Sequence, residues 1–170
     1  MRPQKHSHGD YYTNYISLVE EKDLFSALAN SVNRSNTFWS VLTEEQGNYR
    51  YAEGKWSIKE LLQHIIDTER IFSYRALAFA RGETIALPGY DENEYTDNCF
   101  ADERTLKSLV DELKTVREAT IHLFKSIKEE RLDKIGTASN SPLSARAAGF
   151  ILIGHEIHHM NVAKERYLKG

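Results

Sequence analysis

The chain's only prolines are Pro3, Pro88 and Pro142, so its long intervening stretches carry no residue that removes a backbone donor and bars a helix interior. Across the sequence, four segments repeat apolar residues at spacings of three and four, the period of a helix that buries one face. The first runs from about Ile16 to Leu42 through Leu18, Phe25, Leu28, Val32 and Trp39. The second opens with Ser57-Ile58-Lys59-Glu60, a capping box, with Trp56 placed to staple onto Leu61. It continues through Leu62, Ile65, Phe72 and Phe79 to Arg81, where Gly82 ends it. The third, capped at Asp102, carries the stripe Leu106, Leu109, Leu113, Val116, Thr120, Phe124 and Ile127. The fourth begins at Ser141-Pro142, read as an N-cap and first helical residue, and runs to about Leu168. No stretch alternates convincingly with period two, so the expected class is all-α.

The connections set the topology. Residues 82–101 form a linker of about 20 residues, which at about 3.3 Å per residue can span the roughly 36 Å of a 24-residue helix. Helices two and three are therefore expected to run parallel, giving a four-helix bundle with a long crossover between them. Residues 1–14 are read as a flexible N-terminal tail and 15–170 as a single bundle domain.

Composition narrows the partners. With 22 Lys plus Arg against 25 Asp plus Glu, the net charge is −3, which gives no basic face for a phosphate backbone and argues against nucleic acid. The longest apolar run, Ala147 to Ile153, falls far short of the roughly 20 residues of a membrane span. Cys99 stands alone, so neither an internal disulfide framework nor a cysteine metal cage is available. A reducing compartment and the absence of a secretory apolar region lead to a cytoplasmic expectation.

The chemistry is carried by histidine. His6 and His8 fall in the tail, and His122 lies about 180° from Leu113 on its helix, facing water. Four histidines remain: His64 on helix two, and His155, His158 and His159 within His155-Glu156-Ile157-His158-His159. On a helical wheel His155 and His159 lie about 40° apart, inside a stripe that includes Ala148, Ile151, Leu152 and Val162. Two adjacent imidazoles on an apolar face are costly unless their nitrogens are satisfied, and one metal satisfies both. The alternative is a pair of core histidines bonded to carbonyls or carboxylates. His64, at the edge of helix two's apolar stripe, is the best third ligand, and His158 is read as a flank. Glu69 falls in the middle of helix two's apolar face with Ile65, Phe72 and Ala76. Its alternatives are a buried ion pair with an arginine and a direct role in the site.

Two other metal readings compete. His155 to His159 formally matches H-E-x-x-H, the zinc-peptidase helix in which Glu156 would be the general base. No histidine follows His159, however, and an all-helical bundle lacks a sheet edge on which to lay a peptide. Glu156 to His159 is also an E-x-x-H step, but di-iron bundles need two such steps, and Glu60 to His64 and Glu118 to His122 have the wrong spacing. A mononuclear site with three imidazoles fits better.

Three stretches carry a resemblance. Tyr51-Ala52-Glu53-Gly54-Lys55-Trp56-Ser57-Ile58-Lys59-Glu60-Leu61-Leu62-Gln63-His64 resembles the G-K-W-S-x-x-E-x-x-x-H opening of helix two in the DinB-like superfamily. Leu87-Pro88-Gly89-Tyr90-Asp91-Glu92 resembles its linker, and Gly154 to His159 its terminal H-x-x-x-H helix. The resemblance implies a four-helix bundle, often a homodimer, holding one divalent metal through His64, His155 and His159. It also implies thiol-dependent transferase or isomerase chemistry with a low-molecular-weight thiol such as bacillithiol, mycothiol or glutathione.

The functional expectation is a DinB-like metal-dependent protein, a thiol-dependent S-transferase or a related hydrolase acting on a small molecule. The alternative is a non-catalytic metal-binding stress-response or interaction module. The metal is Zn, Ni, Fe or Mn, among which imidazole ligands do not select. Glu69 and Glu156 are the candidate catalytic or supporting carboxylates, the latter role being acceptance of a ligand histidine's other N–H. A pocket beside the metal is expected, lined by helix one, by the crossover around Tyr90 and Tyr95, and by Glu69.

Overall fold

The computed structural model describes residues 1–168. Four long helices form the bundle: α2 (Leu24–Trp39), α4 (Ile58–Arg81), α6 (Leu106–Lys125) and α8 (Ala145–Val162). Shorter helices join them: α1 (Thr13–Ser17), α3 (Glu44–Asn48), α5 (Glu92–Asp97) and α7 (Glu129–Leu132). Among the described residues no helix is long and apolar enough to cross a membrane.

The α4 boundaries follow from local chemistry. Ser57 and Glu60 form the reciprocal capping box, and Gly82 takes up a left-handed conformation with φ 99°. There the Glu83 N–H reaches the Ala78 carbonyl and the Gly82 N–H that of Phe79, satisfying carbonyls that the helix end would otherwise orphan.

Other boundaries move from where the sequence pattern sets them. The first helix does not run from Ile16: α1 stops at Ser17, and Asp23 starts α2 by accepting the Ser26 N–H at 2.9 Å. The interruption is stabilised from far away, since the Arg2 guanidinium donates to the carbonyls of Ile16 and Val19, each at 2.6 Å. Helix α6 is capped by Thr105 rather than Asp102, whose carboxylate instead accepts from the Ser57 hydroxyl at 2.7 Å and from Arg50. Ser141-Pro142 is not a helix start either. Ser141–Ser144 is strand β2, paired antiparallel with β1 (Ile135–Ala138) in a small hairpin, and Ser144 caps α8. The structure is thus a helical bundle with one two-stranded hairpin.

Residues 1–14, expected to be a flexible tail, lie along the bundle. Ser7 and His8 are buried, and His8 forms a β-bridge to Leu143 of the hairpin.

The core consists of two apolar clusters. One contains Leu24, Leu28, Phe72, Phe79, Phe124, Phe150 and Ile151; the other contains Trp39, Leu62, Ile65, Leu109, Leu113 and Met160. Helices α4 and α6 both enter the second cluster first and leave through the first, while α2 and α8 run the other way. Helices α4 and α6 are therefore parallel, joined by the long crossover, as the length of that linker predicts.

Between the clusters each helix contributes a polar residue to one buried layer: Ser31, Glu69, Arg117 and Glu156. Arg117 donates through Nε and Nη2 to the two oxygens of Glu69, both at 2.8 Å, through Nη2 to Glu156 at 2.9 Å, and through Nη1 to Ser31 at 2.5 Å. Trp39 completes the layer, its Nε1–H donating to Glu156 at 3.1 Å. Every strong charge there has a partner, the condition under which burial of ions is tolerated.

Candidate metal centre and cavity

His64 sits two turns into α4, and His155 and His159 occupy successive turns of α8 beside the polar layer. The His64 and His155 Nε2 atoms are 3.0 Å apart, as are those of His155 and His159. One nitrogen from each of the three lies within 4.8 Å of the others. Burial lowers the pKa of His64 to about 4 and holds His155 and His159 well below the usual imidazole range, the positive charge of neighbouring histidines adding to the effect. All three are therefore neutral near pH 7, the form that offers a lone pair.

The donor set fits a metal. Tetrahedral ligands about 2.0–2.1 Å from a common centre lie roughly 3.3 Å from one another, close to the separations found. Three neutral imidazoles directed at a common point cannot all satisfy one another, because each Nε2 is either a donor or an acceptor. The burial of His159 Nδ1 without a hydrogen-bond partner among the described residues adds to the mismatch. His158 is only part-buried and packs edge-on against Tyr15 and His159, beside the cluster rather than in it.

The two candidate carboxylates do not join the histidines. Glu69 and Glu156 are committed to Arg117 and Trp39, and neither bonds a histidine ring nitrogen or lines the cavity. The arginine ion pair considered for Glu69 is what the fold contains. Glu156, one residue from His155, points into the polar layer on the other side of α8.

The histidines open onto a cavity of about 460 Å³, within the range of small-molecule sites. Tyr90 of the crossover and Tyr15 of α1 line it as the expected regions, whereas Tyr95 stacks on Tyr90 and faces a separate depression beside Cys99. Tyr15 packs edge-on against His155 with ring centroids 5.4 Å apart, and burial raises its phenol pKa. Its backbone fixes this position: a Cβ on Gly154 would lie 1.9 Å from the Tyr15 carbonyl oxygen, so only glycine lets α1 approach α8 this closely.

Sequence reasoning missed Tyr12, Ser139 and Arg75 in the cavity wall. Arg75 was findable: eleven residues after His64, it falls within about 20° of it on the wheel, on the same stripe of α4. Tyr12 and Ser139 gave no comparable signal, since tertiary docking of the N-terminal segment and of the hairpin tip brings them there.

A sequence model of the DinB superfamily matches residues 27–163. The chain belongs to that superfamily. Over 149 residues it is 26% identical to a protein of Oceanobacillus iheyensis named "Putative metal-dependent hydrolase OB0413", covering 85% of this chain and 84% of that one. It is also 26% identical over 146 residues to YjoA of Bacillus subtilis, covering 84% and 85%. Among solved structures it is similar to YfiT from Bacillus subtilis, described as "a probable metal-dependent hydrolase with an unusual four-helix bundle topology". The TM-score is 0.73 at 16% identity, over 84% of this chain and 82% of that one.

Proposed function

We propose that His64, His155 and His159 hold one divalent transition metal, and that the chain is a metal-dependent enzyme acting on a small molecule in the adjoining cavity. The observation that carries this reading is the convergence of three neutral imidazoles on a cavity with no fourth histidine, cysteine or carboxylate within their cluster among the described residues. A structural zinc site is closed by four protein ligands, whereas a catalytic one leaves a position for substrate.

When bound, such a metal supplies Lewis acidity, lowering the pKa of a coordinated water or thiol so that no strong protein base is required. The chain's own residues do the rest. Helices α4 and α8 fix the imidazoles, Trp56 packs on the His64 ring at 5.0 Å, and Tyr15 covers His155. Aromatic side chains line the cavity, and the Tyr15 phenol, kept protonated by burial, shares a hydrogen bond with the Tyr11 hydroxyl at its wall.

Both a thiol-dependent S-transferase and a hydrolase use this arrangement. The transferase reading takes a low-molecular-weight thiol as co-substrate, and the names of the relatives favour the hydrolase. A homodimer, expected from the family resemblance, belongs to the same proposal and is read by light scattering of the purified chain; the cytoplasmic location expected from the composition belongs to it as well and is read by cell fractionation.

The test is metal analysis of protein without a polyhistidine tag, followed by parallel thiol-conjugation and ester or amide hydrolysis assays. The expected result is one metal per chain, lost in His155→Ala and kept in His158→Ala, with metal-dependent turnover in one assay. Absence of bound metal in wild type refutes the reading. Stoichiometric metal without turnover in either assay favours the non-catalytic module.

A further inference from the structure

Among the described residues Arg75 has no counter-ion. Of the basic side chains buried in this fold, Arg117 pairs with Glu69 and Glu156, Arg146 with Glu129 and Asp133, and Lys59 with Glu44. Arg75 is as buried as Arg117, at 2% exposure, yet among the described residues no carboxylate lies within ion-pairing distance. Its Nη2 donates to the Pro88 carbonyl at 2.9 Å and to the Ser139 hydroxyl at 3.0 Å. Its other neighbour of this kind is the Tyr12 phenol, again a neutral group, so the guanidinium's five donors meet neutral oxygens and no anion among the described residues. The guanidinium lies 5.0 Å from the centroid of Phe72 and 5.9 Å from that of Tyr90, between aromatic faces that hold it without neutralising it. It lines the same cavity as the three histidines.

We propose that Arg75 is the binding site for an oxyanionic group, a carboxylate or phosphate, of the substrate that reacts at the histidine end of the cavity. The proposal rests on the metal-dependent reading for the reacting end only. A buried cation held by neutral acceptors is costly unless an anion completes it, and here the cavity is where that anion arrives. The spacing also sets a length. His64 and Arg75 stand on one stripe of α4, eleven residues and about 16 Å of helix rise apart, and a helical side chain leans back toward the N-terminus, shortening that gap. The oxyanion therefore lies less than about 16 Å from the reacting atom. Glu92, an exposed carboxylate at the rim, lies beyond ion-pairing distance of Arg75 and leaves it available.

The test compares probes of one shape and different charge: 4-phenylbutyrate, 4-phenylbutyramide and 3-phenylpropyl phosphate, by calorimetry on the full chain. Each is measured on zinc-loaded and on chelator-treated protein, so that direct coordination by metal is separated from the contribution of Arg75. Wild type is expected to bind at least one oxyanion about tenfold more tightly than the amide in both forms, the discrimination of a charge-assisted hydrogen bond. Whichever oxyanion binds more tightly assigns the group. In Arg75→Gln the ratio should fall to within about twofold while amide binding holds, because only the charged partner is lost. Should that variant fail to fold, Arg75→Lys, which keeps the charge but not the fork, should lower the ratio severalfold. Equal or undetectable binding of all probes by wild type, or an unchanged ratio in a folded variant, overturns the proposal. A ratio that persists in His155→Ala, in a chain found to take up no metal, sinks the metal reading and leaves this one standing.

Discussion

Glu156 is the residue on which two chemistries disagree, and Glu156→Gln separates them. In a zinc-peptidase reading of His155-Glu156-Ile157-His158-His159, Glu156 is the base and its amide abolishes turnover. In the fold described above, Glu156 accepts the Trp39 indole N–H on Oε1 and the Arg117 Nη2–H on Oε2, at 3.1 and 2.9 Å. A glutamine has one acceptor oxygen to serve these two donors, and its NH2 group faces the other. One buried hydrogen bond is lost and one donor stranded, a cost of about 1–3 kcal/mol. The change also removes one negative charge from a buried trio of two glutamates and one arginine, which offsets part of that cost. A net destabilisation of about 2 kcal/mol corresponds to a fall in Tm of roughly 4–8 °C for a chain of this size. The melt should be run on metal-stripped protein, because bound metal stabilises by mass action and would mask the difference. Trp39→Phe and the double variant complete a cycle whose coupling energy should be about 0.5–3 kcal/mol. Metal stoichiometry should stay at the wild-type level, with most activity retained below the transition. An unchanged Tm together with abolished turnover would refute the reasoning and assign Glu156 to the reaction.

Gly154→Ala should lower stability by about 1–3 kcal/mol, since its methyl carbon would meet the Tyr15 carbonyl oxygen at 1.9 Å and something must shift; a thermal melt and a metal-retention measurement check it, and an unaltered melt contradicts the close approach. Asp133, held below its usual pKa chiefly by its hydrogen bond from Arg146, adds stability above the unfolded value of about 3.9 that is lost as pH falls through the lower folded value. Denaturant titrations of wild type and Asp133→Asn should accordingly diverge at pH 7 and draw together as the pH falls below the unfolded value and through the folded one, and a gap independent of pH would rule out the ion pair as its source. Ser57→Ala removes the α4 cap and should cost about 0.5–2 kcal/mol, measured as a shift of the urea midpoint without a change in slope.

What could be read from the sequence was whatever local chemistry decides. The α4 start was legible because Ser57 and Glu60 satisfy each other three residues apart, and its end because only glycine adopts the Gly82 conformation without strain. The histidine pair was legible because a spacing of four on a helix guarantees one face. The break before α2 was hidden because it depends on Arg2 reaching carbonyls fourteen and seventeen residues away. The hairpin was hidden because Ser141-Pro142 is as good a helix start as a strand, and the pairing with Ile135–Ala138 decides between them. Glu69 was correctly placed on the buried face, but nothing local shows that its partner is Arg117, 48 residues on.

The N-terminal strap, the crossover and the hairpin meet far from where the chain first brings them together. His8 bridges to Leu143, Trp39 bonds Glu156 at a separation of 117 residues, and the Tyr167 hydroxyl donates to the Trp56 carbonyl across 111. Helical bundles fold in microseconds to milliseconds when their contacts are local, and more slowly as the contacts lengthen. In this bundle loop-closure entropy must be met before the polar layer or the cavity wall rewards it. Its refolding should therefore resemble that of a mixed α/β domain of equal length, with helices present early and Trp39 reporting the late closure.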